Sequence, residues 1–535
     1  MYKFSSSVIL CFFLTTTLTA MADDWPQWRG PARNGVATSS PVLASSWPVG
    51  GPACIWKSDL IPSDKVGGFG SPAISGGKVY LYVNWKTKTP IPQRRFKEQS
   101  LKQMGWIPEA IPDDLRAAVE TARISEERLK LKDNPEELNA WLETWVKKHV
   151  AEADQPILGR WATDRLRRGA TAYPFAMLDA LATIRDREFN TPEELDSWFN
   201  EQKFSKEWKD KTLYWIPTTN DTSCDTVVCL DASNGSLLWK YEVPGRASDW
   251  GSSSTPCIAD GRCFVAGDSK VFCLDANTGK LLWSEKTEAQ EIAASFIVLD
   301  GLAILPAKSL TAFDAQTGAV RWTQQAVDGT KASPVLWQHE GKKYLICQGE
   351  KLLSCVEPAA GAVVWSTPNI TKVTPAIIGD DLVTFGNESK TGLRAYALST
   401  SGATLRWTVS LADRSACPLI DRGYVYAVGG MPKIKLVCVS MSAGELQWEQ
   451  PFGNSEYSSP LLADGKILAV KDNGKTLSMV QALPEKYQEL AKFNLPITRF
   501  TSPALSQGRV VLRLNEALAC YELTTPPVPP IQAIP

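Results

Sequence analysis

The sequence predicts an all-β fold: an eight-bladed β-propeller whose last blade is closed by an N-terminal strand, with an α-helical insertion in its first blade. Three observations carry this. Tryptophans recur at Trp239, Trp283, Trp322, Trp365, Trp407 and Trp448, spaced by 44, 39, 43, 42 and 41 residues, and Phe493 follows 45 residues later. A hydroxyl residue followed by proline opens most units. An acidic turn with glycine, as in "DANTGKLLW" at 275–283, precedes the first four tryptophans of the series. A period near 40 with short alternating strands is the signature of four-stranded propeller blades.

Each unit reads in the same order. The innermost strand begins at Ser71-Pro72, Thr255-Pro256, Ser333-Pro334, Thr374-Pro375, Cys417-Pro418, Ser459-Pro460 and Ser502-Pro503, with Ser295-Phe296 taking that place in the third unit. A glycine turn follows ("SGGK", "ADGR", "LDGL", "ADGK"), then a second strand such as "KVYLYV" and a third such as "VFCLDA". In the acidic turn, Asp275 can accept backbone amides and Gly279 can take a positive φ. Trp283 then offers a flat apolar face to the neighbouring blade, a docking role expected of every tryptophan in the series. The last unit has no tryptophan strand of its own. "ACIWKSDL" at 53–60 supplies it, with Trp56 in the docking place, which removes a free sheet edge.

The chain has 535 residues and a net charge of −1, giving no electrostatic reason to expect nucleic acid as a partner. "MYKFSSSVILCFFLTTTLTAMADDW" reads as a secretory signal, with Lys3 at its basic end, an apolar run from Val8 to Leu18 and a small-residue cleavage site at Ala20-Met21-Ala22. Leu10 before Cys11 does not suit a lipid anchor, and no later stretch is apolar enough to cross a bilayer. Residues 1–22 are thus read as signal, 23–85 as N-terminal segment, closing strand and start of the first blade, 86–224 as helical insertion, 225–523 as the remaining propeller and 524–535 as a proline-rich tail. An exported, periplasmic or secreted monomer is expected. Cys229, Cys273, Cys355, Cys438 and Cys520 share one strand position and read as small buried hydrophobes. Cys257 and Cys263 flank one hairpin, but a turn centred on Asp260-Gly261 would put them off register.

The insertion is charged and helical in period. Asn134-Pro135-Glu136-Glu137 and Thr191-Pro192-Glu193-Glu194 each combine an N-cap, an N1 proline and a capping-box glutamate. Leu138, Trp141, Leu142, Trp145, Val146 and Val150 follow the first as one apolar stripe, and Leu195, Trp198 and Phe199 follow the second. These tryptophans are expected to dock helices rather than to form an exposed face. The insertion's place after strand two is expected to set it beside the central funnel.

Propellers bind ligands at the funnel mouth, so the residues just before each innermost strand are candidates: Asp249 with Trp250, Glu291, Lys331, Lys372, Arg414, Glu456 with Tyr457, and Arg499. Such a ring of both signs could hold a polar or anionic ligand, or line a hydrated channel of self-paired ions. The only histidines are His149, in the insertion, and His339, in a predicted turn of the fourth blade, which leaves little room for a Ser-His-Asp triad or a His-rich zinc centre. No C-x-x-C-H, H-E-x-x-H or glycine-rich phosphate motif occurs.

"CLDANTGKLLW" and "AFDAQTGAVRW" resemble the A-x-D-x-x-T-G-x-x-x-W docking repeat of the pyrroloquinoline-quinone (PQQ)-like eight-bladed propellers. "DWPQWRGPARNG" at 24–35 and "WPVGGPACIW" at 47–56 resemble the opening of a secreted bacterial subgroup of that superfamily. The resemblance covers roughly 24–85 and 225–523. It implies one of two functional classes: BamB-like scaffolds that bind proteins without a cofactor, or quinoprotein dehydrogenases that hold PQQ and calcium in the funnel with an Asp as base. No two cysteines are adjacent here, whereas the enzymes often carry an adjacent-cysteine disulfide. The expectation is therefore an exported non-catalytic binding or scaffold protein for a protein or envelope polymer, with no cofactor or metal. The alternative is a PQQ-dependent alcohol or sugar dehydrogenase, in which Asp249, Glu291 or Glu456 would be the acidic players.

Overall fold

The computed structural model describes residues 24–525 except 248–249, 369–370, 387–390, 414, 431–432 and 454–457. The expected signal peptide, Asp249, Arg414, Glu456 and Tyr457, and nearly all of the tail lie outside the described residues. The chain divides into two compact units, one of Met1–Thr87 with Thr222–Pro535 and one of Lys88–Asp221.

The larger unit is a succession of antiparallel sheets with meander order. The first contains Ala73–Ser75, Lys78–Pro90, Thr219–Asp231 and Leu237–Pro244, and the second contains Cys257–Ala259, Arg262–Ala266, Lys270–Asp275 and Leu281–Lys286. The innermost strands of the rest are Ile297–Leu299, Val335–His339, Ala376–Ile378, Leu419–Asp421, Leu461–Ala463 and Ala504–Ser506. We number the sheets one to eight in that order. Seven of them have four strands. In the third, the expected second and third strands are one stretch, Leu302–Asp314, because no glycine turn separates them and only a positive φ at Lys308 breaks its course. Middle strands such as "RCFVA" are buried, whereas outer strands such as "LLWSEK" are mostly exposed, with the tryptophan as the buried residue.

The closing strand is where the sequence puts it. Cys54–Lys57 pairs antiparallel with Leu518–Glu522, with Trp56 opposite Cys520. The ring is then held by one repeated contact. The indole N–H of each docking tryptophan donates to a carbonyl in the next sheet's turn: Trp56 to Ala232, Trp239 to Ala276, Trp283 to Ala315, Trp322 to Pro358, Trp365 to Ser399, Trp407 to Met441 and Trp448 to Leu483, at 2.8–3.1 Å. Phe493 packs its ring on Tyr521 of the eighth sheet at 5.7 Å.

A second ring lies at the axis. The backbone N–H of Ser71 donates to the Thr255 hydroxyl, Thr255 to Ser295, Ser295 to Ser333 and Ser333 to Thr374, and Ser502 returns to Ser71. Cys417 likewise donates to Ser459. The hydroxyl–proline spelling is thus explained: proline has no N–H to spend, and the preceding hydroxyl satisfies its neighbour's buried amide.

Below this belt runs the N-terminal segment, whose course the sequence did not announce. Trp25 bridges Ile74 of the first sheet, and the Pro26 carbonyl accepts Ile258 N–H of the second. The Arg33 guanidinium donates to the carbonyls of Ser295, Phe296 and Pro334, and Arg29 donates to Pro418 at 2.6 Å. Gly35 and Ala37 pair with Leu462 of the seventh sheet. All these partners lie at the belt residue or up to three positions beyond it, so residues 25–37 plug the channel. Arg29 and Arg33 are each 1% exposed. Burial lowers both guanidinium pKa values, that of Arg33 to about 10.

The smaller unit is helical. Helix Pro135–His149 is capped by the Asn134 side chain, and Pro192–Glu201 by Thr191 with Glu194 reaching back to the Asn190 amide. Leu138, Leu142, Trp145, Val146 and Val150 are buried in one cluster, with Trp141 partly buried against it, and Leu195, Trp198 and Phe199 lie in another. The tryptophans dock helices within the unit, as the stripe predicted. No described helix is long and apolar enough to cross a membrane.

Candidate functional site

Immediately above the hydroxyl belt is a cavity of about 340 Å³. A simple register builds it: two positions before seven of the belt residues, the described residues face inward. These are Phe69, Ser253, Ala293, Lys331, Lys372, Ser415 and Phe500, and all line the cavity. Belt hydroxyls of Ser71, Thr255, Thr374 and Ser459 form its lower wall, and Trp28, carried by the plug, forms its floor. The plug makes the channel a blind cup.

The cup has two unlike sides. Phe500 (eighth sheet), Phe69 (first) and Trp250 (before the second) form an aromatic wall, with ring centroids 5.0–6.3 Å apart and interplanar angles of 42°, 63° and 84°. Across the ring, the loops before the fourth and fifth sheets present Lys331 and Lys372, and Lys372 is ion-paired with Glu350. Trp250 is 50% exposed, a large apolar face left open at the mouth.

Each wall is held by buried polar groups. Arg513, 1% exposed, donates to the Ser63 hydroxyl and to the carbonyls of Pro62, Gly67 and Gly70 at 2.8–2.9 Å. It therefore fixes the loop that carries Phe69, and burial pushes its pKa down to about 9. Asp268 accepts the Ser252 hydroxyl at 2.8 Å and the Glu291 amide at 3.0 Å. Its own amide donates to Asp225, which also accepts the Tyr82 hydroxyl at 2.6 Å. Burial raises the Asp225 carboxyl above the usual range. These carboxylates fasten the loops of Trp250 and Glu291.

Two lining residues sit in the left-handed backbone region, Glu291 at φ 52° and Phe500 at φ 69°. For a bulky residue this costs on the order of 1 kcal/mol or more, and such strain concentrates at functional sites.

Of the described candidates, Trp250, Glu291, Lys331 and Lys372 line the cup. Arg499 does not. It lies over the Phe500 ring and 3.9 Å from Asp64, and its neighbour Phe500 takes the inward position. Trp28, Phe69, Phe500 and the belt hydroxyls were not foreseen. The two phenylalanines obey the two-before-the-belt register, which was readable in the sequence, whereas Trp28 arrives only by threading. His339 ends a strand rather than sitting in a turn, and its Nδ1 lies 2.8 Å from Asp380 of the next sheet, far along the strand from the cup. Cys257 faces Phe264 and Cys263 faces Ile258, so the two thiols are off register and free.

The family described as outer membrane protein assembly factor BamB matches residues 218–402 and 306–525, more than half of the chain. The chain belongs to this BamB-type, PQQ-like propeller family. Among solved structures it is similar to BamB from Moraxella catarrhalis, at 15% identity and a TM-score of 0.44, over 56% of this chain and 93% of that one. It is also similar to a europium-containing methanol dehydrogenase, at 13% and 0.43, over 55% and 81%. A computationally designed protein, Ika8, matches at 12% and 0.40, over 56% and 93%. No curated protein matches in sequence.

A quinone with calcium would need oxygen donors for the ion and a flat slot for the ring. Among the described residues no three His, Cys, Asp or Glu side chains are placed to hold a metal ion. Among the described lining residues the one carboxylate, Glu291, accepts the Trp250 amide at 3.3 Å. The aromatic wall has no parallel pair of rings. The described lining residues supply neither that set of donors nor that slot.

Proposed function

We propose that the protein is an exported, non-catalytic binding protein of the cell envelope, whose ligand enters the cup above the hydroxyl belt. The observation that carries this reading is the blind cup itself, a concave site with an aromatic wall opposite two lysines, held by buried polar groups and including two residues in strained backbone. Membership of a family described as an outer membrane assembly factor supports an envelope role, as does the leader-like start of the sequence. The helical unit adds a second surface for a protein or polymer partner.

The test is retention of envelope material by immobilised protein, compared with a Ser415→Trp variant that fills the cup. Retention that falls at least tenfold in the variant supports the reading. Equal retention overturns the cup as the binding site. Dye-linked oxidation of an alcohol or sugar after adding PQQ and calcium would replace it with the dehydrogenase reading.

A further inference from the structure

The two sides of the cup specify a two-sided ligand, and this inference rests on the binding reading above. We infer that the cup takes the terminal residue of an acidic carbohydrate, a pyranose bearing a carboxylate or sulfate.

The aromatic residues occupy three consecutive places in the ring, before the eighth, first and second sheets, while Lys331 and Lys372 stand before the fourth and fifth. A ligand filling the space between them meets apolar faces on one side and, on the other, the Lys331 ammonium with Lys372 beside it, itself paired with Glu350. A pyranose offers a C–H face to rings such as Trp250 and Trp28, and its acidic substituent reaches the lysines. Its remaining oxygens meet the belt. Thr255 and Thr374 each accept a neighbour's amide through the hydroxyl oxygen and keep the hydroxyl proton to donate. Glu291, between the two walls, can accept a sugar hydroxyl.

Other anions suit the lining less well. A flat aromatic acid would need two parallel faces, and the three wall rings are inclined to one another by 42°, 63° and 84°. An alkyl carboxylate could cover the Trp28 floor, but its chain would offer nothing to the belt hydroxyls around that floor. The plug sets the polarity of entry. With Trp28 as floor and residues 25–37 spanning the sheets beneath, a polymer cannot pass through, so a chain end enters and an internal segment does not.

Calorimetric titration with glucuronate, glucose, benzoate, inorganic phosphate and an oligouronate tests this. Glucuronate is expected to bind at least tenfold more tightly than glucose, with the preference shrinking as salt rises. The oligouronate should bind one protein per chain end. Lys331→Ala, at an exposed side chain, should abolish the preference for acid over neutral sugar without changing the melting temperature. Trp250→Ala should weaken both sugars tenfold or more. Glucose binding as tightly as glucuronate, benzoate or phosphate binding more tightly, or several proteins per oligouronate chain would each overturn the proposal. If no acidic sugar binds while Ser415→Trp still abolishes retention of envelope material, the carbohydrate class fails and the binding reading stands. If that retention is insensitive to the variant, both fall.

Discussion

At Gly279 one residue answers two demands. Its φ is +71°, and a β-carbon there would lie 2.5 Å from the Trp239 ring of the preceding sheet. Gly235, Gly318, Gly361 and Gly444 meet Trp56, Trp283, Trp322 and Trp407 in the same way. The glycine of each of these turns is therefore the seat of the previous sheet's tryptophan as well as a backbone pivot. Gly279→Ala is expected to destabilise the protein by about 2–4 kcal/mol, combining backbone strain with overpacking, measured by chemical denaturation. A change under about 0.5 kcal/mol would deny the double role. The repeated cysteines are equally legible. Burial pushes the thiols of Cys229, Cys273, Cys355, Cys438 and Cys520 up to about 12, so the thiolate is scarce at neutral pH. Iodoacetamide at pH 8 should label exposed Cys54 in the native protein within minutes and the five buried thiols only after unfolding. Fast labelling of the five would contradict their packing.

At the scale of elements, the loops before the innermost strands show where sequence reading stopped. Picking charged residues near each hydroxyl–proline pair found Lys331 and Lys372, which have the inward register, but chose Arg499 rather than Phe500. Arg499 and Phe500 are neighbours in a turn, with Phe500 at φ 69°, so residue type alone could not settle which of the two faces inward. The register was visible in the fixed spacing to the belt. Trp28 was not, because nothing in "DWPQWRGPARNG" says that the segment threads a ring whose walls come from hundreds of residues away. Two buried cations in one short segment were a clue, since arginines enter an interior only where acceptors await them. Arg33→Ala, which strips those acceptors of a donor, is expected to cost on the order of 3 kcal/mol. Arg513→Met, acting through the loop of Phe69, should weaken ligand binding at the cup with a smaller change in binding if Phe69 is already alanine. Additive losses in the two variants would show that Arg513 does not position Phe69.

For the whole molecule, the acidic turns give stability a defined pH response. Asp231 is held below the usual carboxylate range by the Ser233 hydroxyl and turn amides, Asp275 by the Thr278 hydroxyl and amides, and Asp314 by Arg321 and Thr317. A folded-state pKa below the unfolded value of about 3.9 stabilises above that value and is lost as pH falls through the folded one. Replacing all three with Asn should lower the melting temperature at pH 7 and leave it unchanged near pH 1. A deficit that stays constant down to that pH would rule out the carboxylates' charge as the cause. Periodicity made the fold class, the docking tryptophans, the closing strand and the helical character of the insertion legible, because each follows from local spacing. The cup's floor and its two-sided lining were not, since they arise from the order in which sheets surround an axis.

Arg29 hydrogen-bonds a carbonyl 389 positions away, and Cys54–Lys57 completes a sheet whose other strands end at Glu522. Trp25 can settle on Ile74 early, but Arg29, Gly35 and the closing strand reach their partners only after the later sheets have been made. Contacts of such sequence separation slow folding, and a nascent chain must wait with Trp56 uncovered. Synthesis and ring closure cannot overlap at this seam, so a chaperone that shelters the leading forty residues would shorten the interval in which this protein can aggregate.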